Sequence, residues 1–196
     1  MTASGVVLNG GQSRRMGTDK GSLALGSATM LDTVMDALLP VVDDAYLVGG
    51  SQQHREAVLL ADGYLGQGPL GALVSAFDAL RDAASSAEVL VLVSCDLAEL
   101  TTQALAELLA THRASGADYV VPLVDGRRQW HCSIWHRRCE TQIADAFASG
   151  VRSFRPLTHL FSECVVVPRR TQPFDDVDTP ADYERARSRL CASSDN

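Results

Sequence analysis

The sequence contains no apolar run approaching the roughly 18 to 20 residues that a helix needs to cross a bilayer, which argues against a membrane span. Basic residues are outnumbered, 17 against 24 acidic, for a net charge of −7. A chain with that balance is a poor match for nucleic acid, whose backbone rewards a basic face. The five cysteines, Cys95, Cys132, Cys139, Cys164 and Cys191, are odd in number and scattered. They read as free thiols of a reducing compartment, so a cytoplasmic location is expected. The start of the chain has no basic segment and its apolar run stops at Leu8, unlike a secretory signal. Repeats, low-complexity tracts and linkers rich in Pro, Gly or Ser are also missing, which favours a single domain over residues 1–196.

Three catalytic signatures are lacking as well. Without G-x-x-x-x-G-K-[ST] a P-loop is excluded, without G-x-G-x-x-G a dinucleotide fingerprint is weak, and no G-x-S-x-G elbow suggests acyl transfer. His131, Cys132, His136 and Cys139 crowd one segment, but their spacing fits no familiar zinc pattern.

What is present is an alternation of short apolar runs with longer helical patterns, the mark of an α/β fold with a mainly parallel sheet. Strands are expected at Gly5–Leu8, Ala45–Val48, Val58–Leu60, Val89–Val93, Tyr119–Pro122 and Glu163–Val167, with an extended segment at Arg128–Trp135. Helices are expected at Met30–Leu39, Leu70–Ala84, about 101–115, Gln142–Ala148, and from Thr179-Pro180 to about Leu190, leaving a frayed tail at 191–196. Val89-Leu-Val-Leu-Val93 is wholly apolar, as a central strand covered on both faces should be.

The first strand opens into Asn9-Gly-Gly-Gln-Ser-Arg-Arg-Met-Gly-Thr-Asp-Lys20. Ligands of open parallel sheets bind beyond the carboxyl ends of the strands. Glycines such as Gly10 and Gly11 let backbone amides approach phosphate oxygens, while Arg15 offers a planar fork and Lys20 a point charge. Asp96 follows the most apolar strand, where a carboxylate has no packing role but could hold Mg²⁺ against substrate phosphates. Asp176 and Asp178 could bring further carboxylates, although Asp178 or Thr179 would also serve as a helix cap. Together these groups suit substitution at phosphorus, in which positioned cations spread developing charge.

The segment Leu8–Lys20 closely resembles the motif L-A-G-G-x-S-x-R-M-G-x-D-K of the molybdenum cofactor guanylyltransferases, the MobA family, with Asn9 in place of alanine. Gly68-Pro-Leu-Gly71, Ser94-Cys-Asp96, Asp125-Gly-Arg-Arg-Gln129 and Gly150-Val-Arg-Ser153 resemble later family motifs in the same order. The resemblance implies a three-layer, Rossmann-like nucleotidyltransferase fold with a nucleotide-binding half of about 1–116 and an acceptor half of about 117–196. It implies transfer of GMP from GTP to molybdopterin, with Mg²⁺, release of pyrophosphate, and protein partners that deliver molybdopterin or accept the product. By position, Leu8, Asn9, Gly10, Gly11, Lys20, Asp62, Gly68 and Asp96 would contact nucleotide. Arg15, Lys20 and Asp96 would act in catalysis, and Asp96 with Asp178 would hold the metal. Arg128 and Arg152 are candidates for the acceptor phosphate. Ser94 and Trp130 stand where the family has proline, and Asp176-Val-Asp178-Thr-Pro stands for its N-x-N-T-P. The aspartates are closer to the related cytidylyltransferases. A CTP-dependent enzyme, a sugar-phosphate nucleotidyltransferase, and an inactive nucleotide-binding or chaperone module therefore remain open.

Overall fold

The computed structural model describes residues 1–10 and 20–194, with side chains as far as residue 190. Its elements run β1 (Ala3–Leu8), β2 (Ala24–Leu25), β3 (Ala28–Thr29), α1 (Met30–Leu38), β4 (Asp44–Val48), β5 (Val58–Leu60), α2 (Pro69–Asp82) and β6 (Val89–Ser94). They continue with α3 (Thr102–Ser115), β7 (Tyr119–Val124), β8 (Arg127–Arg128), β9 (Cys132–His136), α4 (Glu140–Ala148), β10 (Glu163–Val166) and α5 (Pro180–Ser194). The strands form a mixed α/β sheet in the order β10-β7-β9-β6-β1-β4-β5, with β8 folded back on β7.

Most neighbours are parallel; only β9, between β6 and β7, and the short β8 run against the rest. Parallel strands need helical crossovers, and the helices cover both faces. On one face Val7, Leu47, Val91 and Val93 pack with Val34 and Leu38 of α1 and Leu105 and Leu108 of α3. On the other, Val6, Val48, Leu90 and Leu92 pack with Leu73 and Phe77 of α2 and Ile143 and Phe147 of α4. Adjacent residues Val6 and Val7 thus serve opposite cores, which is why these strands carry no polar alternation. A third cluster joins Leu25, Met30 and Ala98 to Val177 and Ala186, seating α5 against the small β2–β3 hairpin. None of the helices among the described residues is long and apolar enough to cross a membrane.

The expected elements appear with modest shifts. The 128–135 segment is not one extended piece: β8 ends at Arg128, the chain turns, and β9 starts at Cys132. The last helix runs past Leu190 to Ser194, so the tail expected at 191–196 is helical for four residues. The β2–β3 hairpin was not foreseen, because two-residue strands leave no periodicity to read. Gly116 terminates α3 in the left-handed conformation, at φ 62°, as its position suggested.

At the sheet edge, β10 is stapled to β7 by two carboxylates. Glu163 accepts from the Tyr119 hydroxyl at 2.6 Å and takes a two-pronged bond from Arg128, with Nε and Nη2 each at 2.6 Å. Asp118 accepts from the Ser162 amide and hydroxyl, both at 2.8 Å, and from Arg138 Nε at 2.6 Å. The Arg128 fork holds the Glu163 carboxyl below its ordinary value of 4.5. A depressed folded-state value means that this stabilisation is present above pH 4.5 and fades as pH falls through the folded value. Glu163→Gln is expected to lower stability in urea melts at pH 7 by about 1 kcal/mol after screening of the half-exposed Arg128. The gap to wild type should narrow as pH falls below 4.5 and through the folded value, beneath which both chains carry a neutral group.

Candidate functional site

β1 leads outward through α1 to β4 and β5, and the chain then returns through α2 to β6 on the other side of β1. The carboxyl ends of β1 and β6 therefore flank the topological switch point, where an open α/β sheet makes its crevice. Leu8 is the register partner of Ser94, and the Cys95 amide donates to the Leu8 carbonyl at 3.1 Å. Asn9 and Asp96 thus emerge side by side from adjacent strands.

The carboxylates gather here around a single ammonium. Lys20 Nζ lies 2.9 Å from Asp96 Oδ2 and 2.6 Å from Asp178 Oδ1. These residues are 76 and 158 positions from Lys20, and a backbone bond brings the latter two together: the Val177 amide donates to the Asp96 carbonyl at 3.0 Å. The capping question is also answered. Thr179 caps α5 in a reciprocal bond with Asp182, each accepting from the other's amide at 3.2 and 2.8 Å, which leaves the Asp178 carboxylate for Lys20. Burial works against the charge on Lys20, but Asp96 and Asp178 outweigh it and hold the ammonium above its ordinary range. Partial desolvation, and then repulsion from Asp178 and Asp96, raises the Asp176 carboxyl. Asp96 Oδ1 is buried and has no hydrogen-bond partner among the described residues. Among the described residues no group of three or more His, Cys, Asp or Glu is arranged as a metal cage. A metal here would need oxygens from elsewhere.

A second group lies beside the first. Asn9 is buried, its amide donates to the Val48 carbonyl at 2.9 Å, and its Nδ2 donates to the Gln52 carbonyl at 3.1 Å. Gly50, at positive φ, presses against it, and Gly49, also at positive φ, against Gly10: a Cβ on Gly50 would sit 2.2 Å from the Asn9 carbonyl oxygen. Asp62 approaches Gly49, and its Oδ1 accepts from the Tyr64 amide at 2.9 Å and the Ser75 hydroxyl at 2.5 Å. Gly68, at φ 85°, opens α2 ahead of Pro69, and the Leu70 amide donates to the Arg152 carbonyl at 3.2 Å. A Cβ on Gly68 would meet that carbonyl at 2.6 Å, so the glycine is required by the contact.

The structure therefore brings Lys20, Asp96 and Asp178 into direct contact, sets Leu8, Asn9 and Gly10 at the end of the adjacent strand with Asp62 against Gly49, and joins Gly68 to Arg152. Gly11 and Arg15 lie outside the described residues. Both acceptor candidates have protein partners: Arg128 binds Glu163, and Arg152 donates to the Phe147 carbonyl at 2.6 Å while its guanidinium lies 4.1 Å from the Phe147 ring centroid. The contributions of Gly50, Gln52 and Ser75 were not read from the sequence. Gly49-Gly50 could be seen to end a strand, but nothing local indicated that its backbone would close over Asn9. Cys132 is fully buried, and burial pushes its thiol up to about 12.

A profile of the MobA-like NTP transferase domain matches residues 5–164, a stretch that runs from within β1 past Lys20, Asp62 and Asp96. The chain belongs to the MobA-like NTP transferase family. Among its relatives within that family, a probable molybdenum cofactor guanylyltransferase of Mycolicibacterium paratuberculosis is 29% identical over 187 residues, covering 93% of each chain. The crystal structure of molybdopterin-guanine dinucleotide biosynthesis protein A from Archaeoglobus fulgidus is similar with a TM-score of 0.77 at 19% identity, over 97% of this chain and 99% of that one. The 2-C-methyl-D-erythritol 4-phosphate cytidylyltransferase of Thermus thermophilus shares the fold with a TM-score of 0.74 at 14% identity, over 97% of this chain and all of the other. The nucleotidyltransferase architecture is thus common to proteins named for different bases.

The glycines of this MobA-like site provide a stability test. Gly50→Ala adds a 2.2 Å backbone clash to the cost of a left-handed alanine, whereas a Cβ on Gly126, at φ 74°, meets nothing within 4 Å. Gly126→Ala is expected to cost about 1 kcal/mol in urea melts, and Gly50→Ala about 3 kcal/mol or more.

Proposed function

We propose that this chain transfers GMP from GTP to the terminal phosphate of molybdopterin, as a cytoplasmic single-domain enzyme using Mg²⁺. The observation that carries the reading is the contact of Lys20 with both Asp96 and Asp178 at the carboxyl ends of β1 and β6. In this reaction an acceptor phosphate oxygen forms a bond to the α-phosphorus of GTP. The bond from that phosphorus to the β-phosphate oxygen breaks, and pyrophosphate leaves. The relatives' names supply guanine and molybdopterin; the site supplies the means of handling phosphate.

The donor set fits a hard divalent cation. Asp96 keeps one buried carboxylate oxygen without a partner among the described residues, and Asp178 stands across the same ammonium. Mg²⁺ is usually bound by one or two carboxylates, with substrate phosphates and water completing the shell. When bound, the ion would neutralise charge on the phosphates during displacement. Asp96 and Asp178 would hold it. Lys20 stays an ammonium at neutral pH and would bind phosphate oxygens as a point charge. Leu8, Asn9 and Gly10 would border the nucleoside. Asp62, positioned by Ser75 and the Tyr64 amide, and Gly68 would close the same side, with Gly11 and Arg15 completing the loop. The acceptor would lie toward residues 117–196, with Arg128 or Arg152 on its phosphate after exchange of its present partner. Proteins that deliver molybdopterin and receive the product are the implied partners.

Pyrophosphate release from GTP with molybdopterin and Mg²⁺ tests the reading. Asp96→Asn should reduce kcat/KM by about a hundredfold or more while leaving the fold intact. Undiminished turnover in that variant would remove Asp96 from the mechanism. A preference for CTP in a nucleotide panel would replace guanylyl by cytidylyl transfer, the outcome toward which Asp176 and Asp178 lean.

A further inference from the structure

Asn9 stands where the resembled motif carries alanine, and its carboxamide is 2% exposed at the carboxyl end of β1. Its orientation is dictated by its neighbours. Nδ2 donates to the Gln52 carbonyl, and turning the amide over would set two oxygens against each other. Oδ1 is therefore committed to the opposite side, where no donor among the described residues meets it. Buried acceptors without donors are few in folded proteins, and each costs about what a hydrogen bond would return. The backbone leaves little freedom to relieve this one, because Gly50 closes on the Asn9 carbonyl and the Asn9 amide is held by Val48. The neighbours are Gly10, Gly49 and, across Gly49, Asp62, all on the edge of the crevice.

We propose that Asn9 is a specificity-determining residue of this chain, its carboxamide oxygen accepting a hydrogen bond from a neutral donor of the bound nucleoside, either the exocyclic amine of the base or a ribose hydroxyl. The inference rests on the nucleotidyl-transfer reading for the kind of ligand. It goes beyond that reading because an alanine here has no side-chain acceptor to offer. Phosphate oxygens are excluded as the partner, since ionised phosphates only accept.

Calorimetric titration of the full chain with Mg²⁺ and GTP, ITP, 2′-deoxy-GTP or 3′-deoxy-GTP tests it. ITP lacks the base amine, and the deoxynucleotides lack one hydroxyl each. Wild type should bind one of these analogues about tenfold more weakly than GTP, because the orphan oxygen stays unmatched. Asn9→Ala should bring that analogue level with GTP and leave the other ratios unchanged, and the analogue affected identifies the donor as base or sugar. Urea melts check that Asn9→Ala folds. Equal binding of all four nucleotides by wild type, or ratios unaltered in Asn9→Ala, overturns the proposal. A wild type that takes CTP instead of GTP ends the guanylyl reading alone, and the same comparison then runs on CTP, UTP and the deoxy-CTPs. Binding of no nucleoside triphosphate ends both.

Discussion

The parallel pairing of β1 with β6 is the constraint on which the rest of the molecule depends. Ala3 to Leu8 lie in register with Val89 to Ser94, both strands are buried on two faces, and the chain leaves β1 in one direction and reaches β6 only after going around β4 and β5. Two loops of separate origin are thereby delivered to one spot. A slip of one residue in that register would exchange the faces of every side chain in the strand and move Asp96 away from Lys20. The hydrophobic cores on the two faces stabilise the same register that sets the site, so the fold and the placement of charge are one problem.

Within this frame the site is poor in internal satisfaction. Among the described residues the buried acceptor atoms Asn9 Oδ1 and Asp96 Oδ1 lack donors, and the left-handed Gly49 and Gly50 close on Gly10 and Asn9. Proteins tolerate such costs where a ligand offsets them, and the well-packed strands beneath supply the rigidity that holds the groups apart. The net charge of −7 is compatible with an anionic ligand because cationic charge is placed locally, with Lys20 set against carboxylates. Belonging to the MobA-like NTP transferase family fits this arrangement, and the likeness to a cytidylyltransferase shows that the frame alone does not choose the base.

Much of the architecture could be read in advance because it rests on local signals. The unbroken apolar run Val89–Val93 announced a central strand, Thr101 and Gly116 bracketed α3, and Thr179-Pro180-Ala-Asp182 announced the cap of α5. The resemblance at Leu8–Lys20 carried the functional reading, and Asp96 was conspicuous because a carboxylate after such a strand has nothing to pack against. Other features gave no local sign. The turn between β8 and β9 depends on β9 inserting antiparallel between β6 and β7, a choice made by distant partners. Arg128 and Arg152 were candidates for the acceptor phosphate, yet each has a partner in a distant carboxylate or a main-chain carbonyl, which composition cannot show.

The sequence by itself determined the strand and helix pattern, the glycine-rich exit from β1 and the residue types available for phosphate chemistry, because periodicity, caps and turn residues act over a few positions. Tertiary structure alone decided that Lys20 would meet Asp96 and Asp178, that the Gln52 carbonyl would take the Asn9 amide, and that Gly50 would close on the Asn9 backbone carbonyl. Those outcomes depend on contacts spanning 41 to 158 positions, and the packing of two cores, not any local propensity, brings such residues within a hydrogen bond of one another.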